Sequence, residues 1–262
     1  MVKSDMIPLS IRRQALNEGV APAICIPLVG RSAEAVQGEL AVVLEKQPDL
    51  IEWRVDFFGE ITDTAAVVAL ARKLREAAAA TPIIFTCRSV KEGGERHGRD
   101  ETAIVELLQT VCASRCVDFI DYELCNVWEN VARLRDASRA QGVQLIMSYH
   151  NFQCTPDAEF LGAKFAEAER LGADVAKVAV MPKSAADVLT VLSATQRASE
   201  TIAIPLISMA MGGIGAVSRI VGGVFGSAVT FAVGKSASAP GQIAIEELRT
   251  ALAVVRQASV SM

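Results

Sequence analysis

Residues 172–199, "GADVAKVAVMPKSAADVLTVLSATQRAS", read as one strand followed by one helix. Val175, Ala176, Val178, Ala179, Val180 and Met181 form the apolar, β-branched run of a strand buried on both faces. The same pair recurs along the chain. Strand-like runs begin at 23 ("AICIPLVG"), 50 ("LIEWRVDFF"), 82 ("PIIFTCRS"), 118 ("DFIDYEL"), 144 ("QLIMSYHNF"), 174 ("DVAKVAVM"), 204 ("IPLISMAM") and 228 ("AVTFAVG"). Helical patterns lie between them: "TDTAAVVALARKLREAAAA", with Thr62 or Asp63 as N-cap, "DETAIVELLQTVCAS", "NVWENVARLRDASRAQG", "TPDAEFLGAKFAEAERLG", "KSAADVLTVLSATQRAS" and "GQIAIEELRTALAVVRQ".

Strand and helix alternating eight times, at a period of roughly thirty residues, predict an α/β chain folded as a (β/α)8 barrel. A doubly wound open sheet usually has fewer strands at this length. No linker or low-complexity segment divides the chain, so residues 1–262 are expected to form a single domain. The first twenty residues precede the first strand and are expected to cover the bottom of the barrel.

Composition narrows the function. Of 262 residues 51% are hydrophobic and the net charge is −4, with no dense basic cluster, which argues against nucleic acid or an anionic membrane surface as partner. The opening "MVKSDMIPLSIRRQALNEG" has no apolar signal-peptide core. The apolar stretch "TIAIPLISMAMGGIGAV" is broken by Pro205, Ser208 and three glycines, so it does not read as a membrane span. A cytoplasmic protein is expected. Its six cysteines include no CxxC pair and it has two histidines, so a zinc site is not expected and the cysteines read as reduced, mostly buried thiols.

In such barrels the chemistry sits at the C-terminal ends of the strands. Charges fall there, or point inward on the way there: Glu52, Arg54 and Asp56, Arg88 and Glu92, Asp121 and Glu123, His150, and Lys177. In the second strand Glu52, Arg54 and Asp56 share one face and Ile51, Trp53 and Val55 the other. Inward charges need partners. Lys177 could pair structurally with Asp121 or Glu123, or snorkel at a strand end. It could also be an amine with a pKa lowered by burial and nearby arginines, able to attack a ketone. His150 reads either as a core histidine or as an acid/base group beside that lysine, and His97 as a solvated loop residue. The glycine-rich "MGGIGAVSRI" only loosely mimics a dinucleotide fingerprint, with Ser218 in place of the third glycine. It could still cradle a phosphate. Against that, Arg219, Ser238 and Gln242 suit a carboxylate and hydroxyls at least as well.

With these residues in view, the chain closely resembles the type I 3-dehydroquinate dehydratases of the shikimate pathway, nearly end to end. The resemblance rests on "EWRVDFF", "TCRSVKEGGE", "DFIDYEL", "IMSYHNF", "GADVAKVAVMP", "ISMAMGGIGAVSR" and "SASAPGQ", in that order. It implies a (β/α)8 homodimer that dehydrates the small molecule 3-dehydroquinate to 3-dehydroshikimate with neither metal nor organic cofactor. It also implies that Lys177 forms a Schiff base with the substrate's C3 ketone, that His150 moves protons at C2 and at the C1 hydroxyl, and that Glu92 supports His150. Glu52, Arg54 and Arg88 would take the ring-hydroxyl side; Arg219, Ser238 and Gln242 would take the carboxylate side. Pro27 departs from members that carry a serine in the first strand. A Schiff-base aldolase acting on phosphosugars and a non-catalytic barrel are the other readings of these residues.

Overall fold

The structure, a computed structural model, describes residues 10–11, 14–15, 21–236 and 238–260. Eight parallel strands carry the expected runs: β1 (Ala23–Leu28), β2 (Leu50–Arg54), β3 (Ile83–Thr86), β4 (Phe119–Glu123), β5 (Gln144–Asn151), β6 (Val175–Val180), β7 (Leu206–Ala210) and β8 (Val229–Val233). They pair in chain order, and β8 returns to β1. The circle closes where Leu206 bridges Ser227, with the Ala228 N–H donating to the Leu206 carbonyl at 2.7 Å. A two-residue strand, Ile243–Ala244, extends the edge of β8, making nine strands in the curled sheet. The fold is a TIM-barrel-like α/β fold.

Eight helices cross between the strands: α1 (Ala33–Glu45), α2 (Thr64–Ala78), α3 (Glu101–Ser114), α4 (Trp128–Gln141), α5 (Ala158–Arg170), α6 (Ala185–Ser199), α7 (Gly212–Val221) and α8 (Ile245–Val260). Five start on a side-chain cap that satisfies amides left free at a helix N-terminus: Ser32, Asp63, Asp100, Asp157 and Ser184. Between Thr62 and Asp63, the cap is Asp63. Helix α1 has no counterpart among the patterns read from sequence, for a physical reason. Glu39 stands on its buried face with Val36, Leu40 and Val43, because its carboxylate accepts the Val29 and Gly30 N–H groups, both at 2.8 Å.

Alternation along each strand sorts the core into two clusters. One lies inside the barrel and contains Cys25, Leu50, Ile84, Phe119, Ile146, Val175, Ile207 and Val229. The other lies between barrel and helices and takes the opposite parity, such as Ile51, Phe85, Ile120, Met147, Ala176 and Val178. Two residues beyond the inner apolar layer, the same parity brings Glu52, Thr86, Asp121, Ser148 and Lys177 inside. The sequence alternation of β2 stops at Arg54: Val55–Phe57 form a 3-10 turn, and Asp56 folds back to hold Arg54 through both guanidinium bonds, at 2.8 and 2.7 Å.

Of the first twenty residues only a short antiparallel ladder, Ser10–Ile11 against Gln14–Ala15, is described; the expected covering of the barrel's bottom lies outside the described residues. Among the described residues no helix is long and apolar enough to cross a membrane. The six cysteines are unpaired; Cys25, Cys87, Cys112 and Cys116 are buried, and Cys125 is exposed.

Candidate active site

The upper interior of the barrel is a pocket lined by Glu52, Arg54, Arg88, Glu92, His150, Lys177, Arg219, Ser238 and Gln242, together with Phe152, Ala179, Met209, Met211, Phe231 and Ala239. All nine site residues singled out from the sequence therefore share one cavity. Pro27 is buried in β1, in register with Glu52, and does not line it.

Lys177 is 4% exposed. Its Nζ donates to Asp121 Oδ2 at 3.0 Å and to Glu52 Oε1 at 3.2 Å, and lies 4.8 Å from the centre of the Phe231 ring. Burial pulls its pKa down, but Asp121 and Glu52 outweigh burial and Arg88, and the net direction is upward. The expectation of a lowered pKa is thus corrected. Arg88 does pull the amine down, but each nearby arginine also faces carboxylates of its own, which offset its charge. Arg54 is held by Asp56. Arg88 donates through Nη2 to Asp121 Oδ1 (2.8 Å) and through Nη1 to Glu123 Oε1 (3.1 Å) and Ser148 Oγ (2.9 Å). The structural pairing foreseen for Lys177 exists with Asp121, and with Glu52 in place of Glu123.

His150 ends the neighbouring strand. Glu92 Oε2 accepts its backbone N–H at 3.0 Å and lies 2.8 Å from Nδ1. When Glu92 is ionised that oxygen can only accept, so Nδ1–H is the donor and Nε2 keeps a lone pair. Burial, followed by Arg88 and Lys177, holds the imidazole pKa well below its usual value, so the ring is neutral. Burial and the nearby Glu123 carboxylate, resisted by Arg88, push the Glu92 carboxyl up to about 8. The site thus places a neutral base and a buried ammonium in one pocket.

Arg219 is different. It is 1% exposed, and among the described residues its donors meet neutral acceptors: Gly241 O from Nε (2.9 Å), Phe231 O from Nη1 (3.3 Å), Pro240 O from Nη2 (3.3 Å) and Met209 Sδ from Nη1 (3.7 Å). Among the described residues no carboxylate forms an ion pair with it. Burial without a counter-ion lowers its pKa to about 10. A buried cation of this kind is a receptor for an anion. Helix α7 starts at Gly212, Arg219 stands in its last turn, and the side chain tilts back toward the N-terminus, as helical side chains do. Glycine at 215 serves close packing: a Cβ there would meet the Ala210 carbonyl oxygen at 2.4 Å. Ser218 Oγ accepts the Ala210 N–H at 3.0 Å. Gly241 has a φ of +75°, and a Cβ on it would lie 2.0 Å from the Gly212 oxygen, so the loop after β8 lies directly on the start of α7. In that loop Gln242 accepts the Ser238 N–H at 3.0 Å through Oε1.

Several lining groups were missed from sequence. Phe231 and Met209 sit at inward parity on β8 and β7, and parity alone would have found them, as it would Ser148, which lies beneath the pocket on the inner face of β5 and bonds Arg88 and Asp121. His97 is half-buried and 3.5 Å from the Cys87 sulfur, not a solvated loop residue. Among the described residues one set of metal-type ligands converges, Glu92, Glu123 and Cys125, with atoms within 4.8 Å of one another. Its two carboxylates already face His150 and Arg88.

Comparison with known proteins identifies the family. Residues 24–259 match the family described as type I 3-dehydroquinase. A 3-dehydroquinate dehydratase of Albidiferax ferrireducens is 49% identical over 251 residues, 96% of this chain and 95% of the relative. The crystal structure of 3-dehydroquinate dehydratase from Geobacillus kaustophilus superposes with a TM-score of 0.93 at 45% identity, covering 98% of this chain and 99% of that one. A type I 3-dehydroquinate dehydratase of Clostridium difficile, solved with covalently modified comenic acid, gives a TM-score of 0.92 at 34% identity, over 97% and 99%. The chain belongs to the type I 3-dehydroquinase family, whose members are lyases that dehydrate 3-dehydroquinate.

Proposed function

We propose that the chain dehydrates 3-dehydroquinate to 3-dehydroshikimate through a Schiff base on Lys177, with His150 as the proton-transfer group. The Lys177 ammonium first gives up a proton, for which the neutral His150 in the same pocket is a base. The freed amine attacks the C3 ketone, and the carbinolamine oxygen leaves with protons as water, giving a protonated imine. That imine is a stronger electron sink than the neutral ketone, so the C2 proton becomes removable by the Nε2 lone pair of His150. The electron pair moves into the imine, returns to expel the C1 hydroxyl with the proton that His150 carried, and hydrolysis frees the product. Glu92 orients His150 through Nδ1. Glu52, Arg54 and Arg88 take the ring-hydroxyl side, and Arg219, Ser238 and Gln242 take the carboxylate. The steps as written need no metal or organic cofactor. We read the working form as a homodimer in the cytoplasm, one barrel domain per chain.

The observation that carries this reading is the buried guanidinium of Arg219, lacking an ion-pair carboxylate among the described residues, in the same pocket as a buried amine and a neutral imidazole. The Clostridium difficile relative's covalently modified comenic acid supports covalent chemistry on this fold. The test is to supply the purified chain with 3-dehydroquinate and follow the ultraviolet absorbance of the conjugated product. Steady formation is expected; no product from a folded chain would reject the reading.

A further inference from the structure

We propose that Asp121 is a positioning residue for imine formation: its two carboxylate oxygens fix Lys177 and Arg88 side by side, and it faces the nitrogen's positive charge in both the ammonium and the protonated imine. This inference rests on the Schiff-base reading above.

Asp121 is 2% exposed and lies on β4. Oδ2 accepts from Lys177 Nζ at 3.0 Å; Oδ1 accepts from Arg88 Nη2 at 2.8 Å and from the Ser148 hydroxyl at 2.6 Å. Ser148 in turn accepts from Arg88 Nη1, which closes a ring of Asp121, Ser148 and Arg88. Both oxygens of this carboxylate are engaged, by three groups from other strands or their ends, which restrains it from turning. Lys177 is thereby held between Asp121 and Glu52 and over the Phe231 ring, whose face also favours a cation.

The chemistry needs such an anion. Overall, R–NH3+ and O=C combine to give R–NH+=C and H2O. The C=O double bond is replaced by C=N, and two ammonium protons leave with the ketone oxygen as water. The nitrogen is positive before and after the step. In between, Nζ gives up one proton so that its lone pair can attack, and the leaving oxygen collects protons as water, with the neutral His150 in the same pocket available to carry them. A fixed carboxylate faces the charge at both ends of that step. Arg88 and Lys177 outweigh burial and hold the Asp121 carboxyl far below the usual carboxylate range, which makes it a poor base and a persistent anion. Other groups also face Lys177: Cys25 from β1, Glu52 from β2, Arg88 beyond β3 and His150 from β5; Phe231 on β8 is uncharged.

The test compares wild-type chain with D121N. The first readout is the pH midpoint at which cyanate carbamylates Lys177, read by peptide mapping without substrate. The second is the single-turnover rate of borohydride trapping with 3-dehydroquinate. In the wild type the Lys177 midpoint should lie at or above that of exposed lysines. In D121N it should fall by about one unit or more, trapping should slow at least about tenfold, and kcat should fall more than KM rises. D121E should recover part of the midpoint shift. An unshifted midpoint in folded D121N overturns the proposal, as does a wild-type midpoint below that of exposed lysines. The wild-type measurement decides the matter even if D121N does not fold. Wild-type chain that neither dehydrates 3-dehydroquinate nor traps it would instead reject the Schiff-base reading, leaving the carbamylation result to stand separately.

Discussion

Replacing Arg219 by methionine removes a guanidinium that, among the described residues, meets three carbonyls and the Met209 sulfur but no carboxylate, and leaves an apolar chain of similar length. For catalysis the loss is large. A substrate carboxylate meeting the guanidinium fork makes two charge-assisted hydrogen bonds of about 1.5–3 kcal/mol each, or roughly 2–4 kcal/mol together after discounting for non-additivity. That corresponds to about 30- to 1000-fold in kcat/KM. For stability two effects offset. Burial lowers the Arg219 pKa from its ordinary value to about 10, which amounts to roughly 3 kcal/mol of cost to the folded state at neutral pH. The sign is that of a base whose folded pKa is depressed: the cost is full while the group is charged and fades as pH rises through 10. Against it, the carbonyls of Gly241 and Phe231 lose their donor, at about 1–3 kcal/mol. The Met variant should therefore keep its melting temperature within a few degrees while losing activity. Lysine, which keeps charge but not the fork, should lose about 10- to 100-fold. The assays are steady-state ultraviolet kinetics and thermal melting. A kcat/KM loss under threefold, or a fall in melting temperature of more than about 8 °C, would show that Arg219 serves the fold and not the substrate.

Three further outcomes are expected. His150→Ala should lower kcat by about 10²- to 10⁴-fold while Lys177 still forms a trappable imine; near-normal kcat would reduce His150 to a packing residue. Glu123→Gln removes a carboxylate that pushes the Glu92 carboxyl up to about 8. Since that group is charged only above its pKa, the acid limb of kcat/KM should move to lower pH, and an unmoved limb would separate Glu92 from the titration. Gly215→Ala puts a methyl group 2.4 Å from the Ala210 oxygen. Overpacking of this kind costs about 1–3 kcal/mol, which should lower the melting temperature by roughly 2–10 °C and, because α7 carries Arg219, raise KM; an unchanged melt would mean the helix has room to move.

Much of this was legible in the sequence because a parallel barrel leaves a plain trace. Runs such as "VAKVAV" alternate with helical patterns, and strand parity sends Lys177, Asp121 and Glu52 inward together. Identity of residues along a strand settles which way they face, but not which group across the barrel meets them. Asp121 and Lys177 are 56 residues apart and Glu52 and Lys177 125 apart; their contact, and with it the direction of the lysine's pKa, depends on register and on barrel closure. Arg88 illustrates the same limit: it does depress the amine, yet in place Asp121 and Glu52 outweigh it. Arg219 was found as a residue but not its surroundings: the glycines of "MGGIGAVSR" are helical, one of them packed on Ala210, and the guanidinium meets carbonyls of Gly241, Phe231 and Pro240 that no pattern marks. Helix α1 was obscured by Glu39, a charge on a buried face whose partners are backbone amides invisible to any pattern.

The most direct measurement is mass mapping of the chain after borohydride reduction in the presence of 3-dehydroquinate. The account predicts inactivation and a single reduced adduct on the peptide that carries Lys177, absent without substrate. An adduct on Lys164 or Lys183, or none from an active enzyme, would contradict it.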